Sequence, residues 1–187
     1  MTGVQTCALP IFVSSLDLRT RLSEFFGCTL AINGKDSQSG YGAIMLASAP
    51  YAREGRFFDR AVHTGSHEAS MRLVAKGLAD IAAIDSVTWR MSRRFDPHTS
   101  GLKAIGTTEP TPGLPFIAAA GKPAAKLFDA VRTGITALPE ATRQAFGLRD
   151  VLPLQKRDYE VIMTNLAQAE AVHSLPEMEE IPAAPSL

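Results

Sequence analysis

The sequence predicts an α/β protein with mostly parallel sheets covered by helices. Three observations carry that prediction. Strand-like and helix-like segments alternate from Asp17 to Ile84, the order expected of βαβ units. The runs Cys28–Ile32 and Ile81–Ile84 are apolar without alternation, which suits strands buried on both faces. Glycine or proline closes most of the helix-like segments, as helix stops do.

Taken in order, Asp17–Phe26 reads as a helix, with Leu18, Leu22 and Phe25 at helical spacing and Gly27 as its stop. Cys28–Ile32 is a buried strand, Asn33–Gln38 a polar turn, and Ser39–Ala49 a helix of small residues ended by Pro50. Arg60–His63 is a short strand. Ser66–Lys76 is a helix with Met71 and Val74 on one side and Gly77 behind it. Asp80–Ile84 is a third strand and Gly101–Gly106 a fourth. Thr107–Pro115, with three prolines and a glycine, is a stiff connector. Beyond it, Phe116–Ala120 reads as a strand, and Pro123–Thr133, Glu140–Phe146 and Asp158–Val172 as helices. The proline- and glutamate-rich tail from Ser174 reads as frayed, with 175–187 disordered.

The first residues stand apart. Thr2–Ile11 matches the translation of a widely used short-read sequencing adapter, directly behind Met1. Residues 1–11 are therefore set aside as foreign, and the protein is expected to continue upstream of Phe12.

Composition narrows the function classes. Lys plus Arg and Asp plus Glu both count 19, so the net charge is zero. There is no basic run and no aromatic residues interleaved with basic ones, so no nucleic-acid partner is expected. No apolar run approaches the roughly 20 residues of a membrane helix. With Cys7 in the foreign segment, Cys28 stands alone and reads as a small hydrophobe. His63, His67, His98 and His173 lack the cysteine and carboxylate company of a zinc site. Gly65 implies a strand-to-helix turn between His63 and His67, so these two do not share a helix face. Neither metal nor cofactor is expected.

Three polar segments follow, or lie close to, the C-terminal ends of predicted strands. They are Asp36-Ser37-Gln38-Ser39-Gly40, Thr64-Gly65-Ser66-His67 and Asp85-Ser86-Val87-Thr88. In open parallel sheets, ligands bind in the crevice outside these strand ends. The first two segments also open helices, whose unpaired N–H groups and positive dipole end attract anions. Ser37 and Ser39 add hydroxyl donors, Gly40 permits close backbone approach, and His67 adds an imidazole. Asp85 is placed to accept from a protonated phosphate oxygen or a ligand amine. A plainer reading runs beside this one: Ser39 and Ser66 as helix caps, Asp85 as the cap of a helix beginning at Ser86.

The same segments carry a resemblance. Leu30-Ala31-Ile32-Asn33 with Asp36–Tyr41, then Gly65–Ser70, Ala79–Asp85 and Pro112–Phe116, resemble the phosphate/phosphite/phosphonate substrate-binding proteins of ABC transporters. The similarity spans roughly Leu16 to Val172. It implies the type II periplasmic-binding fold, with one complete lobe and the C-terminal part of the other. Residues 12–107 would be the second, anion-binding lobe and 108–174 the C-terminal part of the first. In the family a Ser-Thr-Ser-Gly turn and a Ser-His motif hold the anionic group. Residue by residue this implies ligand contacts from Ser37, Gln38, Ser39, Gly40, Ser66 and His67, with Asp85 as the acidic partner. Gln38 departs from the family's threonine.

The resemblance further implies a protein that is not an enzyme, located in the periplasm or lipid-anchored outside the cytoplasm. Its partners would be a small anionic ligand and an ABC permease in the membrane. Other classes remain open: an enzyme or binding protein of thiamine-precursor metabolism on the same fold, or the sensing domain of a regulator. Walker A, Gly-x-Gly-x-x-Gly and Gly-x-Ser-x-Gly motifs are absent from the sequence.

Overall fold

The computed structural model describes residues 2–4, 10–16 and 18–181. The chain divides into two units. One holds Glu109–Met163 with the N-terminal strand; the other holds the stretch up to Thr108 with the chain from Thr164 onward.

β1 (Thr2–Val4) belongs to the smaller unit. The larger unit is built on β2 (Ile11–Ser15), β3 (Thr29–Ile32), β4 (Arg60–His63), β5 (Ile81–Ile84) and β6 (Leu102–Thr107). Between them come α1 (Ala43–Ser48), α2 (His67–Ala75) and α3 (Ser86–Phe95). The smaller unit continues with β7 (Pro115–Phe116), α4 (Ala124–Ala137), α5 (Glu140–Phe146) and β8 (Val151–Leu152). Then α6 (Glu160–Val172), from Thr164 on, and β9 (Met178–Glu180) belong to the larger unit.

The larger sheet has six strands in the order β6-β2-β5-β3-β4-β9. β3 pairs in parallel with both β4 and β5, and β9 in parallel with β4. β2 alone runs against its neighbours β5 and β6. The apolar strand runs divide their side chains between two cores, as the pleat requires. Leu30, Ile32, Phe12, Ile81 and Ala83 face Tyr41, Ile44, Met45, Phe57, Phe58 and Ala169. Ala31, Val13, Ala82, Ile84 and Val62 face Met71, Leu73 and Val74 of α2. A sheet buried on both faces explains why Ile81–Ile84 shows no polar alternation.

The smaller unit has a three-stranded sheet, β7-β1-β8, paired antiparallel. Its buried core among the described residues is Ile135 and Val151, supported by Phe128, Val131 and Leu148. No helix of the described residues is long and apolar enough to cross a membrane.

Several elements differ from expectation. In place of a helix over Asp17–Phe26 there is only a short 3-10 turn, Leu22–Phe25. The Glu24 carboxylate accepts from the backbone N–H groups of Thr20 and Arg21 and fixes the start of the turn there. Leu18 is 98% exposed and contributes to no apolar stripe. Asp17 itself lies outside the described residues. The strand expected at Phe116–Ala120 is confined to Pro115–Phe116, because its ladder ends with Phe116 opposite Thr2.

The C-terminal stretch also departs from expectation. Residues 164–172, assigned in the sequence to the smaller unit, pack with the larger one, where Ala169 and Leu166 join the core. Part of the supposedly disordered tail is β9, held beside β4 by a two-pronged Arg60–Glu179 ion pair and a His63–Glu180 pair. The rest, residues 182–187, lies outside the described residues. Of the segment 1–11, Thr2–Val4 forms β1 and Ile11 begins β2, while Met1 and residues 5–9 lie outside the described residues.

Candidate functional site

Because β5, β3 and β4 are adjacent and parallel, their C-terminal ends lie along one edge of the sheet. All three polar segments leave from that edge. After β3 the chain turns at Asn33–Ser37 and enters a single wide turn of π-helix, Gln38–Gly42, which runs on into α1. The Ser37 carbonyl accepts from the N–H groups of Tyr41 and Gly42, at 2.9 and 3.1 Å. Its hydroxyl oxygen accepts from the N–H of Gly40 at 3.0 Å, capping the turn. A Cβ on Gly40 would lie 1.7 Å from the Asn33 Oδ1, so no side chain fits there. Glycine is required by close packing, whatever binds.

After β4, Thr64 donates to the Ile32 carbonyl and pairs with the Ser70 hydroxyl, tying the second exit to the first. Gly65 adopts φ +77°, which a residue with a side chain rarely tolerates. Ser66 caps α2 by accepting from the N–H of Ala69 at 3.1 Å. His67 is the first residue of α2, and its Nε2 lies 3.0 Å from the Ser39 hydroxyl. This bond brings the first two strand exits together through two polar side chains. After β5, Asp85 Oδ1 accepts from the N–H groups of Val87 and Thr88, both at 2.9 Å, and so caps α3.

The electrostatics follow from burial. Desolvation pushes the His67 pKa below the ordinary histidine value. The carboxylates of Asp85 and Glu68 and the Ala83 carbonyl oppose that shift without overcoming it. At neutral pH the ring is therefore uncharged. Its Nδ1 is buried with no well-formed hydrogen bond, so Asp85 does not orient the ring as the acid of a Ser-His-Asp triad would. Ser39, His67 and Asp85 thus lack the second link of a nucleophilic relay. What the arrangement offers is a set of neutral hydroxyl, imidazole and backbone donors beside helix starts.

The structure therefore places Ser37, Gln38, Ser39, Gly40, Ser66, His67 and Asp85 at one sheet edge. It joins Ser39 to His67 directly, and it gives Ser66 and one oxygen of Asp85 to helix caps. Two residues were missed in the sequence. Asn33 donates from Nδ2 to the Ser37 hydroxyl at 3.1 Å. Tyr41, buried in the π-turn, donates to Glu170 of α6 at 2.7 Å. The signal for Asn33 was its place at a strand end, four residues before Ser37. For Tyr41 there was none, since its partner is remote in sequence.

Comparison with known proteins gives this site its setting. The family described as "ABC transporter, phosphonate, periplasmic substrate-binding protein" matches residues 10–159. No curated protein sequence matches the chain significantly. Among solved structures, PhnD1 from Prochlorococcus marinus in complex with methylphosphonate superposes with a TM-score of 0.71 at 18% identity, covering 89% of this chain and 71% of that one. A binding protein component of an ABC phosphonate transporter from Pseudomonas aeruginosa gives 0.68 at 13% identity, covering 91% and 62%. The periplasmic aliphatic sulphonate binding protein SsuA from Escherichia coli gives 0.62 at 10% identity, covering 100% and 72%. At these identities the structural likeness shows the fold, that of the type II periplasmic binding proteins. With most of its length matched by the family, the chain belongs to the phosphonate periplasmic substrate-binding proteins of ABC transporters.

Proposed function

We propose that this protein binds a small phosphorus oxyanion (phosphonate, phosphate or phosphite) between two lobes, performs no chemistry on it, and presents it to an ABC permease. The observation that supports this best is the 3.0 Å contact between Ser39 Oγ and His67 Nε2. Two groups able to donate to an anion satisfy each other at the meeting point of two parallel strand ends. An oxyanion inserted there would replace one mutual bond by two charge-assisted ones, each roughly twice as strong as a neutral bond. Ser37 and the amide of Gln38 complete the proposed cradle, with Gly40 holding the Ser37 hydroxyl in the turn through its N–H, and with Ser66 and Asp85 holding the helix starts that flank it. Gln38 reaches further than the family's threonine and would favour an oxyanion with a short substituent. Closure of the lobes would remove water and strengthen these donors. Residence outside the cytoplasm, free or lipid-anchored, accords with the periplasmic family.

Calorimetric titration tests the reading with methylphosphonate, phosphate, phosphite, methanesulfonate, a neutral amino acid and a sugar. The phosphorus oxyanions should bind and the neutral compounds should not. Tight binding of the sugar with no response to any oxyanion would overturn the proposal. A preference for methanesulfonate would keep the anion site and correct its ligand class.

A further inference from the structure

We infer that Asn33 is a positioning residue that turns the Ser37 hydroxyl into an obligate donor, and so selects for ligand oxygens that only accept. The inference rests on the anion-binding reading of this site and extends it to a residue outside the predicted set. A serine hydroxyl has one proton and two lone pairs. At Ser37 both lone pairs are engaged: Asn33 Nδ2 donates to the oxygen at 3.1 Å and Gly40 N–H at 3.0 Å. The proton finds no protein acceptor among the described residues. It must leave the oxygen on the side away from both donors, and only a ligand or solvent acceptor can take it.

The orientation of the Asn33 amide is itself fixed. Its Oδ1 is buried without a partner and packs against the backbone of Gly40, 1.7 Å from where a Cβ would stand. Turning the amide over would put an NH2 group, with two protons to satisfy, in that buried position against Gly40. It would also leave Ser37 free to donate to the Asn33 oxygen. A bare carbonyl is the lesser penalty, since under-satisfied carbonyls are tolerated more often than orphaned N–H groups. The unfilled acceptor on Asn33 is thus the cost of holding the Ser37 proton available. A hydroxyl free to rotate would accept from a protonated ligand oxygen as readily as donate to a bare one. The committed hydroxyl discriminates in favour of the bare oxygen.

A double-mutant cycle on the full chain, read by calorimetry with methylphosphonate, tests this. Ser37→Ala should weaken binding roughly ten- to hundredfold, the range for a lost bond to a charged group. Asn33→Ala should weaken it about tenfold, and should add nothing in the Ser37→Ala background. If the two losses multiply instead, Asn33 does not act through Ser37 and the inference fails. If Asn33→Ala leaves affinity unchanged while Ser37→Ala does not, the inference also fails but the anion site stands. If Ser37→Ala itself has no effect, the site reading fails at that residue. Should Asn33→Ala not fold, the near-isosteric Asn33→Asp serves in its place. Its carboxylate would capture the Ser37 proton, so binding should be weakened at neutral pH. The ratio of its affinity to that of the wild type should recover as the carboxyl protonates and again donates. A ratio that does not change with pH would overturn the proposal.

Discussion

His67 shows how burial sets the chemistry of a single side chain. Half-buried at the start of α2, it is held neutral by desolvation even with two carboxylates nearby. The sign of the linkage follows. A histidine whose folded pKa is depressed binds protons more readily when unfolded, so it contributes nothing adverse above the unfolded value. As pH falls through that value, near 6.5, it withdraws stability until the folded ring protonates too. A bound oxyanion would reverse the local balance by favouring the charged ring. Three outcomes are expected of His67→Gln, measured against the wild type. The melting temperature should fall less between pH 7 and pH 5, and ligand binding should no longer take up a proton, as seen by calorimetry in buffers of different ionisation enthalpy. Its affinity for methylphosphonate should drop by about 1–3 kcal/mol. Unchanged affinity and unchanged proton uptake would return His67 to a residue of the first helical turn.

At the scale of elements, each helix start at the site is fixed by one side chain, and these bonds can be separated from ligand binding. Asp85 caps α3 through Oδ1 alone, accepting from Val87 and Thr88. Asp85→Ala should therefore lower stability by about 1 kcal/mol, while Asp85→Asn, also a good cap, should cost only a few tenths. Urea unfolding checks this; equal losses would mean the charge, not the cap, matters. Local signals of this kind made the site legible in the sequence. The segments following β3, β4 and β5 are polar, short and placed where apolar runs end, and their strands prove to be neighbours. The element bounds of α5 and β4 follow directly from glycine and apolar spacing. What could not be read depends on distant partners. β9 exists because Glu179 and Glu180 find Arg60 and His63, more than a hundred residues earlier. The helical spacing over Asp17–Phe26 was real, but Leu18 had no surface to bury against. Asn33 and Tyr41 matter through the groups they meet, which no spacing rule reveals.

Over the whole molecule, apolar cover is distributed unevenly between the two units. The larger one buries Phe25, Phe57, Phe58, Leu30, Ile32, Ile44, Ile81 and Ile84 fully, on both faces of a six-stranded sheet. In the smaller one, Ile135 and Val151 are the buried hydrophobics among the described residues. Leu114 and Ile117 are exposed at 90% and 79%, and Phe116, Leu127 and Phe146 are also exposed. Burial contributes roughly 25 cal/mol per Å² of apolar surface, so the local free energy of opening must differ between the units. Regions with few buried contacts open at low cost, whereas core strands open only with global unfolding. Native-state hydrogen exchange on the 187-residue chain should therefore show firm protection across β3, β4 and β5. Exchange should be fast from Glu109 through α5, and the smaller unit should lose protection at denaturant concentrations that leave β3 and β5 intact. Exposed apolar groups of this number also favour association, so sedimentation should report concentration-dependent oligomers. Uniform protection in a chain that stays monomeric would mean that the smaller unit is stabilised by something other than its own buried core.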